Sequence, residues 1–114
     1  MNADERWAAL VETILAAGRA TYGSEAGPQQ AFGSTSLKTD GKIFAMLVKD
    51  RLVVKLDRRR VDALVAAGQG ERFDPGEGRL MKEWLAVAEP ATDEAWLELA
   101  TEAEAFVAKR RQGS

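Results

Sequence analysis

The spacing of apolar residues along this chain changes period twice. Near the N-terminus Trp7, Leu10, Val11, Ile14 and Leu15 fall at i, i+3, i+4, i+7 and i+8. That is the stripe of an amphipathic helix, expected over roughly Ala3 to Ala20. Gly18 takes the next place on the stripe, where it loosens the last turn and leaves room for another backbone. Asn2, with Glu5 three residues on, has the pattern of a capping box. Gly23 to Gln30, with Gly27-Pro28, reads as a loop. Beyond it the period shortens to that of strands. Gln30 to Thr39 is a strand softened by Gly33, and Thr39-Asp40-Gly41-Lys42 carries the Asp-Gly hairpin signal. Lys42 to Val48 and Arg51 to Leu56 are two more strands, joined tightly at Lys49-Asp50, which completes a three-strand meander.

The middle strand is apolar on both sides, with Ile43, Ala45 and Leu47 on one face and Phe44, Met46 and Val48 on the other. Such a strand requires cover on both faces, from helices on two sides or from a helix and a partner subunit. Asp57 is a natural N-cap for a short second helix, Arg58 to Ala67, whose Val61, Leu64 and Val65 face inward and whose C′ residue is Gly68. Glu71 to Phe73 fits a short edge strand, Asp74-Pro75-Gly76 a turn, and Leu80 to Ala88 a further strand stopped by Pro90. In that strand Trp84, Ala86 and Ala88 lie on one side, Leu85 and Val87 on the other. Thr92 or Asp93 then caps a last helix to about Arg110, with Trp96, Leu99, Ala100, Ala103, Phe106 and Val107 as its stripe. Its acids at the start and Lys109, Arg110 and Arg111 at the end suit the helix dipole. The expected fold is therefore α+β: an antiparallel sheet, the meander plus one or two later strands, packed with N-terminal, short central and C-terminal helices. A length of 114 residues without an internal repeat or linker fits one domain, residues 1–114.

Composition narrows the chemistry. The chain contains neither cysteine nor histidine. Disulfides, thiolate metal sites, cysteine nucleophiles and histidine-based acid–base or zinc chemistry are thereby excluded, and the cytoplasm is the expected compartment. No apolar run approaches the roughly 20 residues that span a bilayer, the helices' polar faces are mixed rather than basic, and the opening residues do not read as a signal peptide. No catalytic set, metal site or cofactor is expected. The carboxylates Glu71, Asp74 and Glu77 share one loop, but they lack the ligand pattern of a calcium loop. Gly68-Gln69-Gly70 follows a helix and not a strand, the wrong context for a nucleotide-binding loop.

Charge is more informative in its distribution than in its total of -2. Residues 36–60 hold eight Lys/Arg against three acids, a balance of +5, whereas the rest holds eight basic and fifteen acidic residues, a balance of -7. Arg58, Arg59 and Arg60 stand in the first turn of a helix, where cations oppose the dipole, and this points to nearby acids or to a bound anion. Arg51 and Lys55 precede them, and Arg79, Lys82 and Trp84 lie in and just before a later strand, where a cation beside an aromatic suits a phosphate or a stacked base. These eight residues are the candidate anion or nucleic-acid face.

The stretch from Ala31 to Val107 resembles the N-terminal domain of the TfoX/Sxy competence regulators. The resemblance rests on Phe32-Gly33, Leu37, Asp40-Gly41-Lys42-Ile43-Phe44-Ala45, Arg51-Leu52-Val53-Val54-Lys55-Leu56, Phe73, Met81-Lys82 and a Trp-containing C-terminal helix. Ala31-Phe32-Gly33-Ser34 stands where the family usually has Met-Phe-Gly-Gly. A weaker likeness, through Lys42-x-Phe44-Ala45, Lys55-Leu56 and Trp84, reaches the YjbR/MmcQ-like proteins, often described as DNA-binding. The resemblance implies a secretion-chaperone-like arrangement of sheet and helices in a stand-alone domain, without the second, helical domain with which the competence regulators are built. It supplies no catalytic residue. Three functions follow in order of preference. The first is a non-enzymatic regulatory module acting through protein contacts or self-association. The second is nucleic-acid binding through the basic face. The third is a small-ligand or carboxylate-based enzyme.

Overall fold

A computed structural model describes residues 2–18, 20–22, 36–39, 42–73, 81–89 and 91–113. Among them the element order is α1 (Ala3–Ala16), β1 (Thr21–Tyr22), β2 (Ser36–Thr39), β3 (Lys42–Val48), β4 (Arg51–Lys55), α2 (Arg58–Ala66), β5 (Gly70–Phe73), β6 (Met81–Val87) and α3 (Asp93–Gly113). The strands form one antiparallel sheet in the order β1-β2-β3-β4-β6-β5. The expected meander is its centre, and Gly70–Phe73 is an edge strand as the sequence suggests.

Local chemistry accounts for most of the boundaries. The Asn2 side chain accepts from Glu5 N at 2.8 Å and the Glu5 carboxylate accepts from Asn2 N at 3.1 Å, closing the capping box. Asp57 Oδ1 accepts from Arg59 N at 2.8 Å, and Thr92 Oγ1 accepts from Ala95 N at 3.0 Å, so α2 and α3 start at the caps expected of them. The β3–β4 turn is Lys49-Asp50, with φ of 50° and 66° at its two residues, the handedness that matches strand twist in a two-residue hairpin.

One boundary differs. The first helix ends at Ala16 and not near Ala20, because Gly18 adopts a φ of 87°. Its left-handed backbone stops the helix, as a C′ glycine does, instead of extending the stripe. The chain then turns into β1, a strand that the sequence reading lacked, and Leu15 is left exposed at 37%. The Asp40-Gly41 turn, residues 23–35 with the Gly23 to Gln30 loop and Phe32-Gly33, the Asp74-Pro75-Gly76 turn, Arg79 and Pro90 lie outside the described residues.

The cross-strand register settles how the doubly apolar β3 is covered. Leu37 pairs with Ala45, Ala45 with Val54 and Val54 with Leu85, so these four share one face. All of them are fully buried, in one core with Leu52, Leu56 and Val87 and with the inner residues of every helix. Those are Trp7, Leu10, Val11 and Ile14 of α1, Val61 and Leu64 of α2, and Trp96, Ala100, Ala103 and Val107 of α3. All three helices therefore lie on the same side of the sheet. Phe44 joins this core despite its alternation, because the register slips between Leu37 and Lys38. The bulge turns Phe44 to the side of Ala45, and both are 0% exposed.

Candidate functional site

The opposite face of the sheet follows from the same register. Met46 pairs with Val53, Val53 with Ala86, and Lys55 with Trp84, while Lys38 pairs with Ile43 and Val48 with Arg51. Val53 and Ala86 are buried but lie outside the helix-packed core, and Ile43, Met46, Val48 and Trp84 are half-buried. An open face of an antiparallel sheet ordinarily alternates to polar residues. Here its middle is apolar, rimmed by the cations Lys38, Arg51 and Lys55.

The cations singled out from sequence are dispersed among four surroundings. Arg51 is tied down at its edge of the sheet: its Nε donates to Val87 O at 3.1 Å, its Nη2 to Ala86 O at 3.2 Å, and its Nη1 lies 3.5 Å from Glu71 Oε2. The Lys55 ammonium sits 5.6 Å from the centroid of the Trp84 ring, a cation–π contact that occupies one side of the indole. Arg60 turns toward α3 and grips Glu102 with two hydrogen bonds, Nε to Oε2 at 2.8 Å and Nη2 to Oε1 at 3.3 Å. Among the described residues Arg58, Arg59 and Lys82 form no ion pair. With Arg72 and Asp62 they line a hollow of ≈ 290 Å³ at the N-terminal end of α2, on the helix side of the sheet.

Arg72 and Asp62 were not singled out in the sequence. Arg72 pairs in register with Leu85, so it projects to the helix side, and its Nη2 donates to the Asp62 carboxylate of α2. The signal was the short edge strand itself, since alternation along Gly70–Phe73 sends Arg72 toward α2. Lys82 reaches the hollow because the β5–β6 register slips after Arg72: Phe73 next pairs with Met81, and Glu83 O instead accepts from Leu56 N at 2.9 Å. The Arg58–Arg60 triplet is thus divided between an interhelical ion pair and an open hollow, and Trp84 stands on the other face of the sheet from both.

A second cluster joins α1 to α3. The Arg6 guanidinium lies 4.0 Å above the Trp96 ring, with Nε donating to Asp93 Oδ1 at 2.7 Å, Nη2 to Ala91 O at 2.5 Å and Nη1 lying 3.4 Å from Glu89 Oε1. Each nitrogen of the guanidinium has an acceptor, so Arg6 is a structural clamp. Among the described residues no group of three or more His, Cys, Asp or Glu could hold a metal ion, and no helix is long and apolar enough to cross a membrane.

The arrangement is that of an α+β module: an antiparallel sheet with the described helices packed on one side only. Residues 25–107 match the model of the TfoX N-terminal domain family, and the chain belongs to that family. No curated protein and no solved structure matches it. Family membership supports a role as an interaction module.

Proposed function

We propose that this module works by docking a protein partner, a second copy of the chain included, on the helix-free face of the sheet. One observation carries the reading. All three helices cover one face, yet the other keeps an apolar centre of Ile43, Met46, Val48, Val53, Trp84 and Ala86. Ile43, Met46, Val48 and Trp84 are half-buried around the buried Val53 and Ala86, and apolar area left at a surface in this way marks interaction sites. Residues 1–114 act as one unit, because α1, which precedes the matched segment, contributes four residues to the shared core. A cysteine-free chain suits a reducing compartment, and the cytoplasm is the setting we propose.

Nucleic acid is the weaker occupant of this face. Arg51 is committed to the protein's own acceptors, and Lys55 already covers one side of the Trp84 ring.

The test compares Met46→Glu with the parent domain in affinity isolation and in molar-mass measurement across concentration. A charge at Met46 is expected to abolish recovery of the partner or self-association, while Leu15→Glu, on the exposed flank of α1, leaves both intact. Equal behaviour of the two variants, with folding verified by circular dichroism, would remove the sheet face as the docking surface.

A further inference from the structure

The hollow beside α2 has no role in that reading and stands on separate observations. Its described lining is Arg58, Arg59, Arg72, Lys82 and Asp62, four cations against one carboxylate. Asp62 is engaged by Arg72. Among the described residues the other three cations have no carboxylate partner, although the chain carries more acids than bases. Other described arginines are neutralised: Arg60, one residue further along the same helix, is held by Glu102, and Arg6 and Arg51 also meet carboxylates. Leaving Arg58 and Arg59 unpaired in a first helical turn that has no acid is unfavourable for the empty domain, because both oppose the helix dipole. Bringing Lys82 and Arg72 from two strands to the same place adds like-charge repulsion. Such an arrangement is relieved by an anion seated among them.

We propose that this hollow binds a phosphate monoester on a small molecule. A phosphate monoester carries about -1.5 to -2 charges at neutral pH, which offsets most of the excess of three cations. Guanidinium groups offer its oxygens paired N–H donors, and the ammonium of Lys82 supplies a point charge. The volume of ≈ 290 Å³ sits at the lower edge of ligand pockets, which run from roughly 300 Å³ upward. It accommodates one phosphorylated group and little more. The capping Asp57 carboxylate already takes the Arg59 N–H, so the side chains and not the helix terminus make the site. A nucleic-acid strand fits less well. No aromatic residue is among the described lining residues, Trp84 lies across the sheet, and the chain outside residues 36–60 has a balance of -7 that repels a polyanion.

The experiment titrates the full chain, in phosphate-free buffer at constant ionic strength, with inorganic phosphate, with phenyl phosphate and with a single-stranded oligonucleotide. NMR of the arginine Nε–H groups provides the readout. Both phosphates are expected to shift Arg58, Arg59 and Arg72 saturably, with Arg51 and Arg60 unmoved and sodium chloride without effect. The double variant Arg58→Ala, Arg59→Ala is expected to weaken binding by at least about tenfold, equivalent to about 1.4 kcal/mol. Lys82→Gln weakens it by a smaller factor, and Arg60→Ala leaves it unchanged. Because Arg58 and Arg59 are exposed, their removal spares the fold, which circular dichroism verifies. Non-saturating shifts, or shifts spread over every arginine, would overturn the proposal. So would an oligonucleotide that displaces phenyl phosphate and binds more tightly with a steep salt dependence, which would assign the hollow to nucleic acid. Neither result bears on Met46 and the sheet face, so the two readings fail separately.

Discussion

At Gly70 the backbone of β5 passes against β6 with no room for a side chain. A Cβ there would stand 2.6 Å from Ala86 O and 2.9 Å from Leu85 Cδ1. The first obstacle is backbone of a buried strand and cannot yield cheaply. Gly70→Ala is therefore expected to destabilise the domain by about 1–3 kcal/mol, in the range of overpacked cores, as read from the urea midpoint. Gly18 is a different case. Nothing lies within 4 Å of its would-be Cβ, so only its left-handed φ requires glycine. Both glycines are visible in the sequence, but neither reason is. Gly18 occupies a helical stripe position, and a residue's φ depends on where the next segment must go. Arg6 is equally unremarkable as a letter near the N-terminus. Its role appears only when Asp93, Glu89 and the Ala91 carbonyl, distant along the chain, close around it.

Helix starts and most of the strand alternation are matters of neighbouring residues, and there sequence and structure agree. Asp57 caps α2 through a single hydrogen bond to Arg59 N. Asp57→Ala is expected to lower stability by about 1 kcal/mol, with Asp57→Asn retaining most of it, because a neutral amide oxygen still accepts the same N–H. The ends of β3 and β4, the edge position of β5 and the opposite facing of Trp84 and Leu85 on β6 likewise follow from local pattern. The bulge at Phe44 does not. Alternation assigns Phe44 and Ala45 to opposite faces, and only the register slip against β2 buries both together. The α1–α3 junction is also an element-scale property, since Arg6 holds the start of α3 while its guanidinium caps the Trp96 ring. Arg6→Ala is expected to cost about 1–3 kcal/mol, from the loss of the cation–π packing on Trp96 and of charge-assisted hydrogen bonds, of which the one to the Ala91 carbonyl is part-buried. Loss of protection should appear first at the α1 amides in hydrogen exchange, and uniform loss across the sheet would show that Arg6 is not a local clamp.

Across the whole molecule the decisive fact is asymmetry. Among the described residues, a six-stranded sheet packs three helices on one face and keeps none on the other. The basic segment of the sequence is distributed by this asymmetry. Arg51 and Lys55 go to the helix-free face, Arg60 to the interhelical seam, and Arg58, Arg59 and Lys82 to a hollow with Arg72. The two proposed surfaces lie on opposite sides of the sheet and carry different chemistry, one apolar and one cationic. The Met46→Glu and Arg58→Ala, Arg59→Ala variants are therefore expected to be independent, each abolishing one binding event and sparing the other. Loss of both events in either variant, with the fold retained, would show a single continuous site.

The sequence by itself determined the α+β class, the central meander, the caps at Asn2 and Asp57, the family, and the exclusion of cysteine and histidine chemistry. Each of these rests on residue type or on spacing within a few positions, where steric periodicity and hydrogen-bond geometry act directly. The tertiary structure alone decided which face of the doubly apolar β3 the helices cover, where α1 stops, and which cations are neutralised. Those outcomes depend on pairings between residues far apart in the chain, such as Arg60 with Glu102, Arg6 with Asp93 and Leu37 with Ala45. A one-dimensional pattern carries the tendency of a side chain to be buried or charged; the path of the chain chooses its neighbour.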